Sequence, residues 1–314
     1  MKVQLQQLRY FVAVAETRHF THAADILGVS QPTLSKQIHT LESSLGAPLF
    51  ERVRGAITLT VAGETLLPLA QRMVADADAA LDAVRDIVGL RRGEVRLGAT
   101  PSLCSSLVPG ILRTYREEHP DIQLHVSEGS SQDLIANLMA HALDLALIVQ
   151  PEHGVDPVLE TTDLLRESLV VASVAAEPPP TVARQLELVE LRHTPMVMFR
   201  KGYDIRDVTL HACERAGFTP KFAVEGGEMD AVLAFVEAGL GVALVPSMVL
   251  ANRPLLRATP LAPPGMRRTI ALAQRRGAVL PHAAAALRDV VTEHIASGRL
   301  PFGVRALSTS ATDG

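Results

Sequence analysis

Phe20-Thr21-His22-Ala23-Ala24-Asp25-Ile26-Leu27-Gly28-Val29-Ser30-Gln31-Pro32-Thr33-Leu34-Ser35-Lys36-Gln37-Ile38 reads as two short helices parted by a tight turn, and this reading decides the N-terminal fold. Thr21 is placed to cap the first helix and Ser30 the second, because a side-chain oxygen there accepts an otherwise unused amide hydrogen. Gly28 stands where the first helix must stop, since glycine takes left-handed backbone without a Cβ clash. Pro32 falls in the opening turn of the second helix, where a missing N–H does no harm. Ala24, Ile26, Leu27 and Val29 suit a close helix crossing, and Leu34, Ile38, Leu41 and Leu45 continue an inward stripe. The other face carries Gln31, Thr33, Ser35, Lys36 and Gln37. Polar groups at the start of a second helix can donate to phosphates or read base edges in a DNA major groove. On an isolated amphipathic helix the same face would simply be solvated.

Upstream, Leu5, Leu8, Phe11, Val12 and Ala15 recur at helical spacing until Glu16-Thr17-Arg18-His19 breaks the pattern. Downstream, Leu49-Phe50-Glu51-Arg52-Val53-Arg54-Gly55-Ala56-Ile57-Thr58-Leu59-Thr60 reads as a short hairpin with a basic tip, then a helix opening at Thr60. Arg52 and Arg54 on such a wing can lie along a phosphate backbone, a contact that orients without reading sequence. Residues 1–65 hold six Lys or Arg against five Asp or Glu, so any DNA contact rests on this local surface.

The ordered run Phe11, Phe20 to Ala24, Leu27 to Ser35, Ile38, Leu41-Glu42, Leu45-Gly46, Leu49 to Arg52, Leu59-Thr60 and Ala62-Gly63 resembles the winged helix-turn-helix of LysR-type transcriptional regulators. At the wing tip, Val53-Arg54-Gly55-Ala56 departs in order from many members of that family. The resemblance implies a homodimer, or a homotetramer of paired dimers, binding an interrupted dyad of double-stranded DNA near a promoter. It also implies control by a co-inducer, with RNA polymerase as a candidate further partner. Thr21, Ser30, Gln31, Pro32, Thr33, Ser35, Lys36, Gln37, Arg52 and Arg54 are the expected DNA-binding residues.

From Leu66, the positions Leu66, Ala70, Met73, Ala77, Ala80, Val84 and Ile87 alternate steps of four and three, the seam of a coiled coil. Such a seam suits dimerisation, with packing on the chain's own C-terminal domain as the alternative. Val88-Gly89-Leu90-Arg91-Arg92-Gly93 reads as a hinge. Beyond Glu94, strand and helix patterns alternate, as in a mostly parallel sheet covered on both faces. The expected fold is therefore α/β, with an all-α winged helix-turn-helix N-terminal domain, a long linker helix and a two-lobed periplasmic-binding-protein-like effector domain. Expected domains are 1–62 for DNA binding, 63–90 for the linker and 91–300 for the effector domain. Within the last, lobe I covers 94–163 and 269–300 and lobe II covers 164–268, with a disordered tail over 301–314.

In such sheets a ligand sits beyond the carboxyl ends of the strands. Thr100, Ser102, Ser130, Ser131, Gln150, Arg200, Tyr203, Glu228 and Met229 fall there and are the expected effector-binding residues. Hydroxyls plus one Arg suit a carboxylate, although helix capping alone would also explain the Thr and Ser residues.

The 314 residues, 47% hydrophobic and 20% charged, suit several packed domains and exclude global disorder. The start lacks the apolar core of a secretory signal and charges interrupt every long apolar run, so no membrane association and a cytoplasmic location are expected. There is no phosphate-binding glycine loop with its lysine, no Gly-x-Ser-x-Gly elbow and no His-Glu-x-x-His helix. An enzyme, a cofactor and a metal are thus not expected. Cys104 and Cys213 read as buried thiols or, in the rival reading, as the pair of a redox-sensing regulator. A solute-binding protein without DNA activity would leave the first ninety residues without a purpose.

Overall fold

The computed structural model describes residues 3–53, 56–87, 93–151, 154, 156–297 and 300–307. The chain divides into two units, residues 1–91 and 92–314.

In the first unit, α1 (Leu5–Thr17), α2 (Phe20–Ile26) and α3 (Gln31–Leu45) enclose a small core. Leu8, Phe11 and Val14 from α1 meet Ala23 and Ala24 from α2 and Leu34, Ile38 and Leu41 from α3. Gly28 (φ +65°) and Gly46 (φ +74°) end α2 and α3 in left-handed backbone. Ser30 Oγ accepts the Thr33 amide at 3.4 Å and caps α3. The cap expected of Thr21 is not made. The helix starts two residues earlier, His19 Nδ1 accepts the His22 amide at 3.3 Å in the capping role, and Thr21 lies exposed inside α2. Extended backbone at His19 leads directly into Phe20, whose ring packs against Phe50 at 5.8 Å between centroids.

The hairpin β1 (Phe50–Val53) and β2 (Ala56–Leu59) pairs Phe50 with Leu59 and Val53 with Ala56. It is tied to the helices by the Phe50 ring on Phe11, 5.3 Å between centroids, and by Glu42 Oε1, which accepts the Leu49 amide at 2.8 Å. Thr60 opens α4 (Val61–Ile87): its Oγ1 accepts the Gly63 amide at 3.1 Å and donates to Pro48 O at 2.6 Å. Helix α4 then runs back along α1, with Arg9 Nη1 donating to Asp78 Oδ2 at 3.1 Å. The seam expected along α4 is partly spent on this packing. Ala70 is fully buried in the helical core with Leu66 beside it, whereas Leu69, Met73 and Leu81 are about half exposed. The Val84 and Ile87 side chains, like the expected hinge residues Val88 to Arg92, lie outside the described residues.

The second unit opens with parallel strands β3 (Glu94–Ala99), β4 (Gln123–Glu128) and β5 (Leu145–Val149). They are linked through α5 (Pro101–Cys104), α6 (Val108–Glu118) and α7 (Ser131–Met139). β3 lies between β4 and β5, with Ala99 level with Glu128 on one side and Leu147 on the other. Alternation along β5 serves both faces: Leu145 and Leu147 pack with Leu97, Ile111 and Tyr115, while Ala146 and Ile148 pack with Leu134 and Leu138.

The sixteen-residue β6 (Leu159–Val174) then spans the unit, so the expected lobe boundary at 163/164 falls within one strand. The second lobe holds β7 (Pro195–Met198), α8 (Asp204–Arg215), β8 (Lys221–Glu225), α9 (Met229–Glu237), β9 (Ala243–Pro246) and β10 (Leu256–Pro260). β9 and β10 both pair antiparallel with the far half of β6, and β7 pairs parallel with β8. The chain returns through β11 (Arg267–Arg275), which lies antiparallel between β5 and the near half of β6, and α10 (His282–Ala296). Among the described residues the sheet order is β10-β6-β11-β5-β3-β4.

The expected tail is corrected in its first half. Val304–Ala306 forms β12, antiparallel to Leu165–Glu167 of β6, and Leu307 N donates to Leu164 O at 2.9 Å. This stretch of β6 has an open hydrogen-bonding edge, and pairing satisfies backbone groups that would otherwise be left there. Residues 308–314 lie outside the described residues.

Gly63 marks the tightest crossing of the first unit: a Cβ there would stand 2.2 Å from Leu49 O and 2.9 Å from Leu59 Cδ2. Gly63→Ala is expected to cost the first unit about 1–3 kcal/mol, the usual range for overpacking, read as a lower denaturation midpoint. An unchanged midpoint would show that α4 does not cross the chain this closely.

Candidate functional site

The polar face of α3 stands out from the helical core. Gln31, Pro32, Thr33, Ser35 and Lys36 are exposed, while Leu34, Ile38 and Leu41 on the opposite face are sealed. The Ser30 and Thr33 hydroxyls lie 2.8 Å apart, so the cap also holds the Thr33 side chain. Gln37 differs from its neighbours: its Oε1 accepts Nε2 of the buried Gln7 at 3.3 Å, which makes it partly a strut between α1 and α3. No sequence pattern marked Gln7, because a buried glutamine inside an apolar stripe resembles any surface residue until its partner is in place. Arg54 lies outside the described residues, as does the side chain of Arg52.

In the second unit, the carboxyl ends of β3, β4 and β5 lead into Thr100, Gly129-Ser130-Ser131 and Gln150. Thr100 and Ser102 are buried with their hydroxyls 3.4 Å apart. Ser130 caps α7, accepting the Asp133 amide at 3.2 Å and donating to Asp133 Oδ2 at 2.7 Å. Ser131 Oγ accepts the Val149 amide at 3.1 Å and so ties α7 to the end of β5. Both serines are therefore already used in holding the fold. Gln150 Oε1 is sealed and accepts no hydrogen bond among the described residues.

From the other lobe, Tyr203 precedes α8 and Glu228 precedes α9. Tyr203 is stacked on Phe199 with ring centroids 4.8 Å apart, and burial pushes its phenol well above the usual range. Met229 is buried within the lobe II core rather than offered to a ligand. Arg200, the cation expected to meet an anion, is half exposed and already engaged: its Nε donates to Glu228 Oε1 at 2.8 Å and its guanidinium lies 5.9 Å from the Tyr203 ring centroid. The two lobes face one another here. Glu128, at the end of β4, is held above the ordinary carboxylate range by burial and by the negative charges of Glu228 and Asp230 from the second lobe.

A residue absent from the sequence expectation stands in this region. Arg268 of β11 is nine-tenths buried, donates from Nη2 to Ser102 Oγ at 2.8 Å and from Nε to Glu167 Oε2 at 2.8 Å. Glu167 is fully buried, and its other oxygen accepts the Met248 amide at 2.8 Å. An Arg 166 residues beyond the serine it contacts leaves no local signal, since only the return of β11 beside β6 brings them together.

The two cysteines occupy separate cores. Cys104 packs against the lobe I cluster and Cys213 is sealed in the lobe II cluster with Leu169, Met196 and Phe218. Burial pushes each thiol up to about 11, with Glu128 adding to the effect at Cys104. Among the described residues no group of three or more His, Cys, Asp or Glu is placed to hold a metal, and no helix is long and apolar enough to cross a membrane.

Residues 5–64 match the family described as bacterial regulatory helix-turn-helix protein, lysR family, and residues 89–296 match the LysR substrate binding domain. The transcriptional dual regulator GltC of Bacillus subtilis is 31% identical over 250 residues, covering 80% of this chain and 83% of that protein. A full-length OxyR variant from Pseudomonas aeruginosa superposes with a TM-score of 0.77 at 25% identity, covering 99% of this chain and 100% of that one. Full-length CbnR, solved with its target DNA, shares the fold with a TM-score of 0.66 at 24% identity over 93% of this chain and 100% of that one.

The thiol environments give a pH test. A pKa raised to about 11 keeps Cys104 protonated at neutral pH. Iodoacetamide labelling of the native protein should therefore be slow near neutral pH and climb by about tenfold per pH unit through the alkaline range, because only the thiolate attacks. A rate that levels off near pH 8 would contradict this placement of Cys104.

Proposed function

The chain belongs to the LysR family of helix-turn-helix transcriptional regulators, and from that premise we propose which of its residues read DNA and which sense the effector. It is a DNA-binding regulator with a domain for a small-molecule effector. The DNA contact is assigned to Gln31, Thr33, Ser35 and Lys36, with Thr21, Ser30, Pro32 and Gln37 flanking them and Arg52 and Arg54 of the wing on the phosphates. The carrying observation is that α3 holds Leu34, Ile38 and Leu41 rigidly inward while leaving those polar side chains exposed. Such a helix places donors and acceptors against base edges without first having to order itself.

Two such helices are needed to read a dyad, and α4 supplies the means of pairing. Leu69, Met73 and Leu81 leave apolar surface uncovered along a helix whose other side is already packed on α1. A second copy covering this stripe makes the homodimer, and two dimers make the tetramer. The domain limits proposed are 1–62, 63–90 and 91–300. The protein acts in the cytoplasm as a regulator and not an enzyme, with RNA polymerase as a further partner.

The effector site is assigned to the cleft lined by Thr100, Ser102, Gln150 and Tyr203, with Ser130 and Ser131 holding one wall and the Arg200–Glu228 pair and Met229 supporting the other. Buried hydroxyls at the end of β3 suit the acid group of a small carboxylate.

Three substitutions test the DNA surface. Gln31→Ala, Thr33→Ala and Lys36→Ala should each weaken promoter binding in a gel shift while leaving the sizing profile unchanged, by about 1–3 kcal/mol where a base contact is lost. Unchanged affinity for all three removes α3 from the groove. Met73→Glu is expected instead to lower the oligomeric state, because it places a charge in the paired stripe; a variant that elutes like the parent places the dimer contact elsewhere.

A further inference from the structure

Arg268 has three guanidinium nitrogens with three different fates. Nε and Nη2 both lie 2.8 Å from Glu167 Oε2, and Nη2 also donates to Ser102 Oγ. Nη1 makes no hydrogen bond among the described residues, and it is not among the sealed polar atoms. This corner of the guanidinium therefore stays available beside the Ser102 and Thr100 hydroxyls. It also lies between the lobes: Ser102 belongs to the first, whereas the phenol of Tyr203 in the second feels the positive charge of Arg268.

Taking the cleft as the effector site, as proposed above, we propose that Arg268 is its acid-reading residue, presenting Nη1 together with the Ser102 and Thr100 hydroxyls to a carboxylate of the effector. Glu167 is the positioning residue. It grips two of the guanidinium nitrogens, while the Met248 amide holds the carboxylate from the other side. A fork held at two corners loses little freedom when the third binds, and a charge-assisted hydrogen bond from a buried guanidinium is stronger than one from a neutral donor. Arg200 is less suited, because it is half exposed and its Nε is committed to Glu228. The buried Glu167 offsets the Arg268 charge, so recognition rests on hydrogen-bond geometry as much as on attraction and is weakly screened by salt.

The test is a thermal-shift titration of the full-length protein with acetate, benzoate, succinate and citrate, each beside its neutral amide. At least one acid should raise the melting temperature while its amide does not. Arg268→Gln should weaken that acid by at least about tenfold, as expected for loss of a charge-assisted contact, and the surface control Arg288→Gln should leave it unchanged. Arg268→Gln strands the buried Glu167 charge and can cost the fold. The double variant Glu167→Gln with Arg268→Gln removes both charges and should show the same loss. An acid response kept in either variant, an amide as effective as its acid, or no response to any acid overturns the assignment. A neutral compound whose shift is lost in Ser102→Ala would leave the cleft in place and remove Arg268 from it. A shift untouched by Thr100→Ala, Ser102→Ala and Arg268→Gln would remove the cleft as well.

Discussion

The second unit depends on a carboxylate buried where β6 passes from one lobe to the other. Glu167 is sealed from solvent, and a lone charge there would be untenable. Arg268 from β11 neutralises it and the Met248 amide completes its hydrogen bonding. These partners come from widely separated parts of the chain: β11 returns to lobe I, while Met248 follows β9 in lobe II. Breaking such a buried pair by removing one member typically costs roughly 3–5 kcal/mol, far more than a surface ion pair contributes. Strand β6 is thus more than a connection. It pairs with β11 and β12 over one half and with β9 and β10 over the other, and its one buried charge, Glu167, sits near the end of the first half, level with Arg268 and Val304.

The first unit solves a different problem, that of holding a short polar helix rigid with little core. Aromatic contacts through Phe50, the Glu42 carboxylate on the Leu49 amide and the close passage of α4 at Gly63 draw the hairpin and the long helix onto three short helices. Small domains bury a smaller share of their surface, so such specific ties carry more of the order. The consequence for function is direct: α3 can present Gln31 to Lys36 in one arrangement because its inward side chains have no other place to go.

Much of this was legible in the residues. The turn between the second and third helices followed from Ser30 and Gly28, whose backbone roles are local, and the alternation beyond Glu94 foretold a covered sheet, although not a mostly parallel one, since β6 and β11 pair antiparallel with all their neighbours. The errors share a cause. Thr21 is a good cap by type, yet the packing of Phe20 on Phe50 starts the helix earlier. Ala70 fits a heptad seam by spacing, yet α1 claims that face of α4. Val304–Ala306 looked like tail because a three-residue strand has no periodicity of its own, and only the open edge of β6 gives it a partner.

The sequence by itself determined the helices of the first unit, the strand-helix alternation of the second and the polar face of α3, since caps, glycines and apolar spacing act over one or two helical turns. It also placed Thr100 and Ser102 at a strand end, because strand and helix alternate visibly there. Only the tertiary structure decided that Arg200 pairs with Glu228, that Ser130 and Ser131 serve the fold, and that Arg268 stands beside Ser102. Charges find partners by distance in space, and residues 166 positions apart become neighbours only once β6 and β11 have paired.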